Sequence, residues 1–429
     1  MGQGTFLHAA DLHLDSPLLR LTATDEDARA LVRGATRSAF VRLIDHALAL
    51  PAAFVVIAGD LWDGPWQDVH TGLWFVRQVS RLRDAGIPLV FLRGNHDAAS
   101  EVTPTLAFPD HVHELPTKAP GTVRLSELAV ALHGQGFPQP RVDRDLAATY
   151  PAPVPGWLNV GVLHTALDGA EGHAAYAPCS IQTLTAKGYD YWALGHVHAQ
   201  AIRSRDPWIV FPGNLQGRHA NETGPKGCFE VDFEGDRILA VRAIGLDVVR
   251  WERPLVDLTS AIDLDDVDDR VVEALRATPT DPRTQLLVVR PTLAGATALR
   301  GELLASKQLL SDRISGRAAE LPVPAVVEGL TWALTDPTEP GRPLDDDAVG
   351  ALIERLAGLA AAPETKAALE EAVASIVRDL PHDVTSLLAD GALGPLMRGE
   401  VDGYLADRRD AAIARVRGPA SGEDERAVR

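Results

Sequence analysis

Residues 87–99 read IPLVFLRGNHDAA: an apolar, β-prone run stops at Gly94 and is followed at once by Asn95, His96 and Asp97. The run Pro88 to Leu92 predicts a short buried strand, and the polar triplet predicts chemistry at that strand's carboxyl end. Four more segments obey the same rule. The strand expected over 5–10 ends at Asp11-x-His13, that over 54–58 at Gly59-Asp60-x-x-Asp63, that over 158–163 at His164, and that over 190–194 at Gly195-His196-x-His198. Helical patterns over about 25–49 and 66–85 separate the first three strands, as in βαβ units with right-handed crossovers. In open α/β sheets ligands bind beyond the carboxyl ends of the strands, so the five polar ends can meet at one site. Carboxylates, imidazoles and an amide oxygen form a mixed donor set that suits Mn, Fe or Zn rather than calcium or a thiolate site. Asp11, His13, Asp60, Asn95, His164, His196 and His198 are too many donors for one tetrahedral ion and fit two ions sharing a carboxylate. A lone Asp-x-His arises often by chance; five such segments in order, each after its own strand, do not.

Outward from these segments the pattern changes twice. Further strands are expected over 123–133, 208–211, 227–233 and 237–243, with so few helices between them that this part should be mostly antiparallel. The run PAPVPG at 151–156 reads as a surface connection. From Val249 to about 334 a strand–helix–strand–helix–strand pattern predicts a small α/β module, with helices over 265–277 and 296–319. Beyond the Pro/Gly-rich connector at 336–343 everything reads helical: Val349, Leu352, Ile353, Leu356 and Leu359, then Leu369, Val373, Ile376, Val377 and Leu380, follow helical spacing. The resulting division is 1–245, 246–336 and 344–429, with a frayed tail over the last fifteen or so residues.

Composition narrows the function classes. The 429 residues carry 41 Lys and Arg against 59 Asp and Glu, a net charge of −18, which excludes a basic surface that grips nucleic acid by counterion release. Residues 1–250 are at −6 and 251–429 at −12, so any phosphate chemistry needs a local source of positive charge. Thirteen of 14 histidines lie in residues 1–219, placing the chemistry in the first half. Cys179 and Cys228 are too few for a disulfide framework and fit a reducing cytoplasm as small buried residues. No apolar run approaches the ~18 residues of a membrane span, and no leader is expected. His111 and His113 mimic the Gly195-His196-x-His198 spacing but follow Phe-Pro-Asp, so a surface loop is expected. His46 and His70 read as solvated helix residues, His8 and His133 as packed strand residues.

The order of these segments resembles the calcineurin-like metallophosphoesterase superfamily. Within it, FLHAADLHLDSPL (6–18), CSIQTLTAKGYDYWALGHVH (179–198) and FPGNLQGRHANETGPKG (211–227) resemble the YhaO-type DNA repair exonucleases, relatives of the SbcD nuclease. The resemblance implies an α/β fold: a four-layer αββα sandwich with a small α/β capping domain and a helical C-terminal region. It implies two divalent ions, Mn2+ foremost with Fe or Zn as alternatives. Asp11, His13 and His198 would hold one ion, Asn95, His164 and His196 the other, with Asp60 as the bridge. His96 would protonate the leaving oxygen, Asp97 would orient that imidazole, and a hydroxide between the ions would attack phosphorus. Asp63 stands open between a supporting role and a helix N-cap. Arg218, His219 and Lys226 are candidates to meet substrate phosphate. The activity implied is a metal-dependent phosphodiesterase, a DNA exonuclease with or without endonuclease activity. A phosphoesterase for small nucleotides or phosphoproteins, and a non-catalytic scaffold, are the alternatives. The implied partners are DNA, a second copy of the chain, and an SbcC-like coiled-coil ATPase seated on 384–417 through Leu387, Leu388, Leu396, Val401, Leu405 and Ile413.

Overall fold

Alternation along the first strand sets the layering. In β1 (Gln3–Ala9), Leu7 and Ala9 point to one side and Phe6 and, just beyond the strand, Ala10 to the other, all fully buried. A strand buried on both faces sits inside a sandwich. The computed structural model describes residues 2–16, 26–63, 69–99, 106–167, 176–335, 355–356, 358–378 and 393–417. The chain divides into two compact units: Met1–Arg253 with Thr278–Arg290 and Leu321–Glu328, and Pro254–Ala277 with Pro291–Glu320 and Gly329–Arg429.

In the first unit β1, β2 (Phe54–Ile57), β3 (Leu89–Phe91) and β4 (Val112–Glu114) run parallel, and β11 (Gly227–Glu234) and β12 (Arg237–Gly245) add antiparallel beside β1. Helices α1 (Glu26–Ala49) and α2 (Val69–Arg83) cover one face of this sheet, where Phe40, Leu43, Phe75 and Val79 pack on Leu7, Val55, Ile57 and Phe91. Its other face, with Phe6, Phe54 and Val90, packs on Leu132, Val160, Val162, Tyr191 and Val210 of a second six-stranded sheet. That sheet comprises β5 (Gly121–Leu125), β6 (Val130–Gly134), β7 (Leu158–His164), β8 (Tyr191–Gly195), β9 (Ala201–Arg205) and β10 (Trp208–Phe211), in the order β5-β6-β7-β8-β10-β9. The single turn α3 (Asn95–Ala98) follows β3, and loops with the short helix α4 (Ile181–Ala186) close the second sheet's outer face over Trp192, Leu194 and Ile209. This is the four-layer α/β sandwich, with β1, β2 and β3 of one sheet and β7 and β8 of the other supplying the site.

Three sequence expectations are corrected here. The single strand over 123–133 is two, because Ala129 turns the chain in a left-handed conformation between β5 and β6. The second sheet is not mostly antiparallel: β6, β7, β8 and β10 are parallel, and only β5 and β9 pair antiparallel at the edges. Among the described residues its crossovers hold no helix longer than the six residues of α4, too short for the periodic signal that marks a βαβ unit. His113 lies in the edge strand β4 rather than in a loop.

The module after Val249 also differs. Its expected three strands are six, each segment broken near a proline or glycine: β13 (Val249–Glu252), β15 (Leu286–Val289) and β17 (Ala325–Val327) form one parallel sheet in the first unit. β14 (Leu255–Asp257), β16 (Thr292–Ala296) and β18 (Thr331–Thr335) form another in the second. Pro254 and Pro291 stand at two of the breaks, where no backbone N–H is available to carry the ladder on. The expected helix over 296–319 is two, α6 (Arg300–Ala305) and α7 (Lys307–Ala318), and begins only after β16. α7 packs beside α5 (Leu264–Ala277), where Arg313 donates to Asp268 at 2.7 Å. Farther on, α8 (Pro363–Arg378), α9 (Gly394–Met397) and α10 (Val401–Arg417) share a small core of Val373, Leu396 and Val401, with Leu405 against it. Three of the apolar side chains expected to face a partner are thus used within the unit. Val349, Leu352, Ile353, Leu380, Leu387 and Leu388, and the side chain of Ile413, fall outside the described residues. No helix among the described residues is long and apolar enough to cross a membrane.

Candidate metal centre

The strand ends carry the donors on strained backbone. Asp11, His13, Asp60 and His196 have φ of 52°, 42°, 53° and 98°, a left-handed region that costs a non-glycine residue about 1–3 kcal/mol. Cross-loop bonds hold them there: Asp11 N donates to Gly59 O at 3.0 Å, His13 N to Asp60 O at 3.1 Å, and His196 N to the Asp11 carboxylate at 3.0–3.1 Å. Gly94 and Gly195 let the loops close, since a Cβ at Gly94 would lie 2.1 Å from Asp60 Oδ1 and one at Gly195 2.0 Å from Ala58 O.

These loops bring together all seven expected donors. Asp11, His13 and His198 can present atoms all within 4.8 Å of one another, as can His13, Asp60 and His96, and Asp11, Asp60 and His164. Asp60 Oδ2 is 3.8 Å from His13 Nε2 and 3.3 Å from His164 Nε2, which is 3.1 Å from Asn95 Oδ1. The His196 ring packs edge-on to that of His164, with centroids 5.2 Å apart.

The protons make a cation the fitting occupant. His164 Nδ1 can only donate to the carbonyl of Ala58, at 2.9 Å, so in the neutral ring Nε2 turns a lone pair toward two oxygens. His13 Nε2 and His198 Nε2 face each other at 3.2 Å, while their Nδ1 atoms lie 3.2 Å from Asp63 and 2.6 Å from Glu222. Lone pairs converging on a buried centre, each ring held from behind by an acceptor, are the arrangement of imidazoles bound to a divalent ion. Electrostatics agree. Burial drives His13 down to about 3, whereas at His164 the Asp60 carboxylate overcomes burial and pushes the ring up to about 9.

Several roles differ from expectation. Asp97 does not touch the His96 ring. Its buried carboxylate accepts from the backbone N of Trp62 at 3.0 Å and of Gly94 at 2.9 Å, fastening two site loops together. Burial, reinforced by Asp60, pushes it up to about 7. The carboxylate beside His96 is Asp63, 3.4 Å from Nδ1. Lys226 is 4% exposed and its Nζ donates to the carbonyl of His198 at 2.9 Å, so it braces the loop instead of facing solvent. Arg218, with 17% of its side chain exposed, lies 3.4 Å from Asp63 and 3.3 Å from Glu222, and His219 lies 3.5 Å from Glu222. His46 is not merely solvated but 2.8 Å from Glu230. His8 and His133 are buried, as expected of packed strand residues.

Sequence reasoning missed Glu222. It is the one carboxylate in a loop of amides and cations, GNLQGRHANETG, and that isolation was the available signal. Its Oε2 accepts from Asn214 Nδ2 and from the backbone N of Arg218, both at 2.7 Å, and burial is overcome by Arg218 and His198 to hold it well below the usual carboxylate range.

Two stretches of the chain match known families. Residues 4–200 match the family described as calcineurin-like phosphoesterase, and residues 251–335 that described as metallophosphoesterase YhaO, middle domain. The chain is 34% identical over 262 residues to the uncharacterized metallophosphoesterase YhaO of Bacillus subtilis (strain 168), covering 60% of this chain and 64% of that one. It is 24% identical over 266 residues to the DNA double-strand break repair protein Mre11 of Sulfurisphaera tokodaii, covering 58% and 64%, and 26% identical over 285 residues to that of Methanopyrus kandleri, covering 58% and 57%. The matches therefore span less than two thirds of these relatives' length. All seven expected donors lie within the first matched region, and Glu222 and Arg218 follow it. The chain accordingly carries a calcineurin-like phosphoesterase domain over residues 4–200 and a YhaO middle domain over residues 251–335, and it is homologous to the YhaO and Mre11 proteins.

Proposed function

We propose that this chain is a DNA exonuclease that cleaves phosphodiesters at a centre of two divalent ions, Mn2+ foremost. The observation that carries the reading is Asp60 Oδ2 standing between the two sets, 3.8 Å from His13 Nε2 and 3.3 Å from His164 Nε2, with Asp11, His13 and His198 able to present atoms all within 4.8 Å of one another. Asp11, His13 and His198 would hold one ion, Asn95, His164 and His196 the other, and Asp60 both. Bound ions would supply positive charge for a phosphoryl group and lower the pKa of a coordinated water. His96, at the rim with 37% of its side chain exposed, would deliver a proton from Nε2 to the leaving oxygen, with Asp63 at Nδ1 holding the imidazolium. The donor cluster would also answer part of the charge problem: in a protein at −18, ions held there would supply local positive charge for a phosphodiester.

The three-part division 1–245, 246–336 and 344–429 is proposed as nuclease domain, cap and partner-binding helices, in a reducing cytoplasm. An SbcC-like coiled-coil ATPase is the proposed partner. With Leu396 and Val401 buried in their own core, Leu359 and Ile376, 55% and 48% exposed, are its proposed anchors, and their replacement by Glu should abolish co-purification. Activity is tested with Mn2+ on single- and double-stranded DNA labelled at either end, against bis-p-nitrophenyl phosphate and a cyclic nucleotide. Mononucleotides released progressively from one labelled end support the reading. Turnover confined to small phosphoesters refutes it.

A further inference from the structure

The imidazoles of this centre are backed unequally, and we propose that the inequality ranks the two ion sites. Asp63 and Glu222, with Arg218 between them, make the Asp11–His13–His198 set the tighter one. The proposal rests on the metal-centre reading above.

The argument begins at His198. Its Nδ1 lies 2.6 Å from Glu222 Oε1 and 3.3 Å from Arg218 Nη2. A guanidinium only donates, so if Nδ1 accepted from Arg218 its lone pair would face a carboxylate at 2.6 Å. The proton therefore sits on Nδ1 and is donated to Glu222, which leaves the Nε2 lone pair for the centre. His13 repeats the arrangement with Asp63 at 3.2 Å. His164, in the other set, donates instead to the neutral carbonyl of Ala58. A carboxylate behind an imidazole strengthens it as a donor to a metal more than a peptide carbonyl does. Glu222 cannot turn away, because Asn214 and the backbone N of Arg218 hold its other oxygen.

Arg218 moderates the effect. It lies within 3.4 Å of both carboxylates, and Lys226 at the carbonyl of His198 is a second cation nearby, so what strengthens the set is the direct carboxylate contact on each ring and not a net negative charge. The two residues consequently act with opposite sign on the bound ion. Removing the charge of Glu222 weakens binding, and removing that of Arg218 strengthens it. A merely structural role would weaken it in both variants. Both are positioning residues, acting through His198 and His13.

The test is a Mn2+ titration of the metal-free full chain by calorimetry, with bound Mn2+ read independently by EPR. His198→Ala identifies which step belongs to its set. Two steps are expected in the unaltered protein, the tighter one lost in His198→Ala. Glu222→Gln should weaken that step by about 10- to 100-fold and leave the other within about twofold. Arg218→Gln should tighten it by roughly threefold or more. The proposal is overturned if Glu222→Gln weakens both steps alike or neither, or if Arg218→Gln weakens the tight step while its melting curve is unchanged. Should Glu222→Gln fail to fold, Asp63→Asn is read against the same two outcomes. An unaltered chain that binds fewer than two ions refutes the metal-centre reading itself, which is a different result from two ions whose ranking does not move.

Discussion

Gly94→Ala isolates how closely the site loops must approach. Gly94 has φ −84° and ψ −167°, which any residue adopts, so alanine brings no conformational penalty and its whole effect is steric. Its Cβ would lie 2.1 Å from Asp60 Oδ1 and 2.8 Å from Asp60 N, where contacts under 3.0 Å essentially never occur. The carboxylate oxygen must therefore retreat by about 0.9 Å, several times the ~0.2 Å that ligand distances tolerate. That oxygen also accepts from His96 N at 3.0 Å, so the same displacement disturbs the proposed proton donor. Misplacement on the order of 1 Å costs about 100-fold in turnover. Overpacking of this kind costs about 1–3 kcal/mol, or a fall in Tm of about 2–12 °C for a unit of this size. Bound Mn2+ by elemental analysis, hydrolysis of bis-p-nitrophenyl phosphate and a thermal melt read the three effects together. Gly34→Ala is the control: it lies in α1 with nothing within 4 Å of its Cβ position, and should be neutral or stabilising by up to ~1 kcal/mol. A Gly94→Ala protein with unchanged metal content and turnover would show that Asp60 has room to spare and that the bridging assignment is wrong.

The remaining predictions separate chemistry from scaffolding. His96→Ala should keep its bound metal and lose roughly 100- to 10,000-fold in turnover, less on an aryl phosphodiester whose leaving group needs no proton; equal losses on both substrates would give His96 another task. Asp97→Ala should act first on stability, by about 1–3 kcal/mol for each of the two buried N–H groups of Trp62 and Gly94 left without an acceptor, and an unchanged melt would contradict its fastening role. His8, buried between Tyr191 and the carbonyl of Leu194, is lowered by burial from 6.5 to about 3. The unfolded chain thus binds a proton there that the folded chain refuses. The stability advantage of the unaltered protein over His8→Gln should be full above pH 6.5 and shrink by up to ~1.4 kcal/mol per unit as pH falls toward 3. Denaturant midpoints that run parallel across that range would rule this out.

The sequence by itself determined which polar residues stand at the strand ends as candidate donors and where each hangs on the fold. Strand periodicity and abrupt polar endings are local properties, legible from neighbouring residues, and so Asp11, Asp60, Asn95, His164 and His196 could all be assigned to strand ends without a structure. Local pattern also sufficed for α1 and α2, but it failed where connections are irregular, at the parallel crossovers of the second sheet and at the breaks before Pro254 and Pro291. What only the tertiary structure decided is which group stands behind which. Asp97 neighbours His96 in the chain, yet its carboxylate folds back onto two backbone amides, and the role beside that ring passes to Asp63, 33 positions earlier. Glu222 reaches His198 across 24 residues, and Lys226 turns inward to a carbonyl. Hydrogen bonds of this kind depend on the distance between loops from different sheets, which pairing and packing set and which adjacency along the chain does not encode.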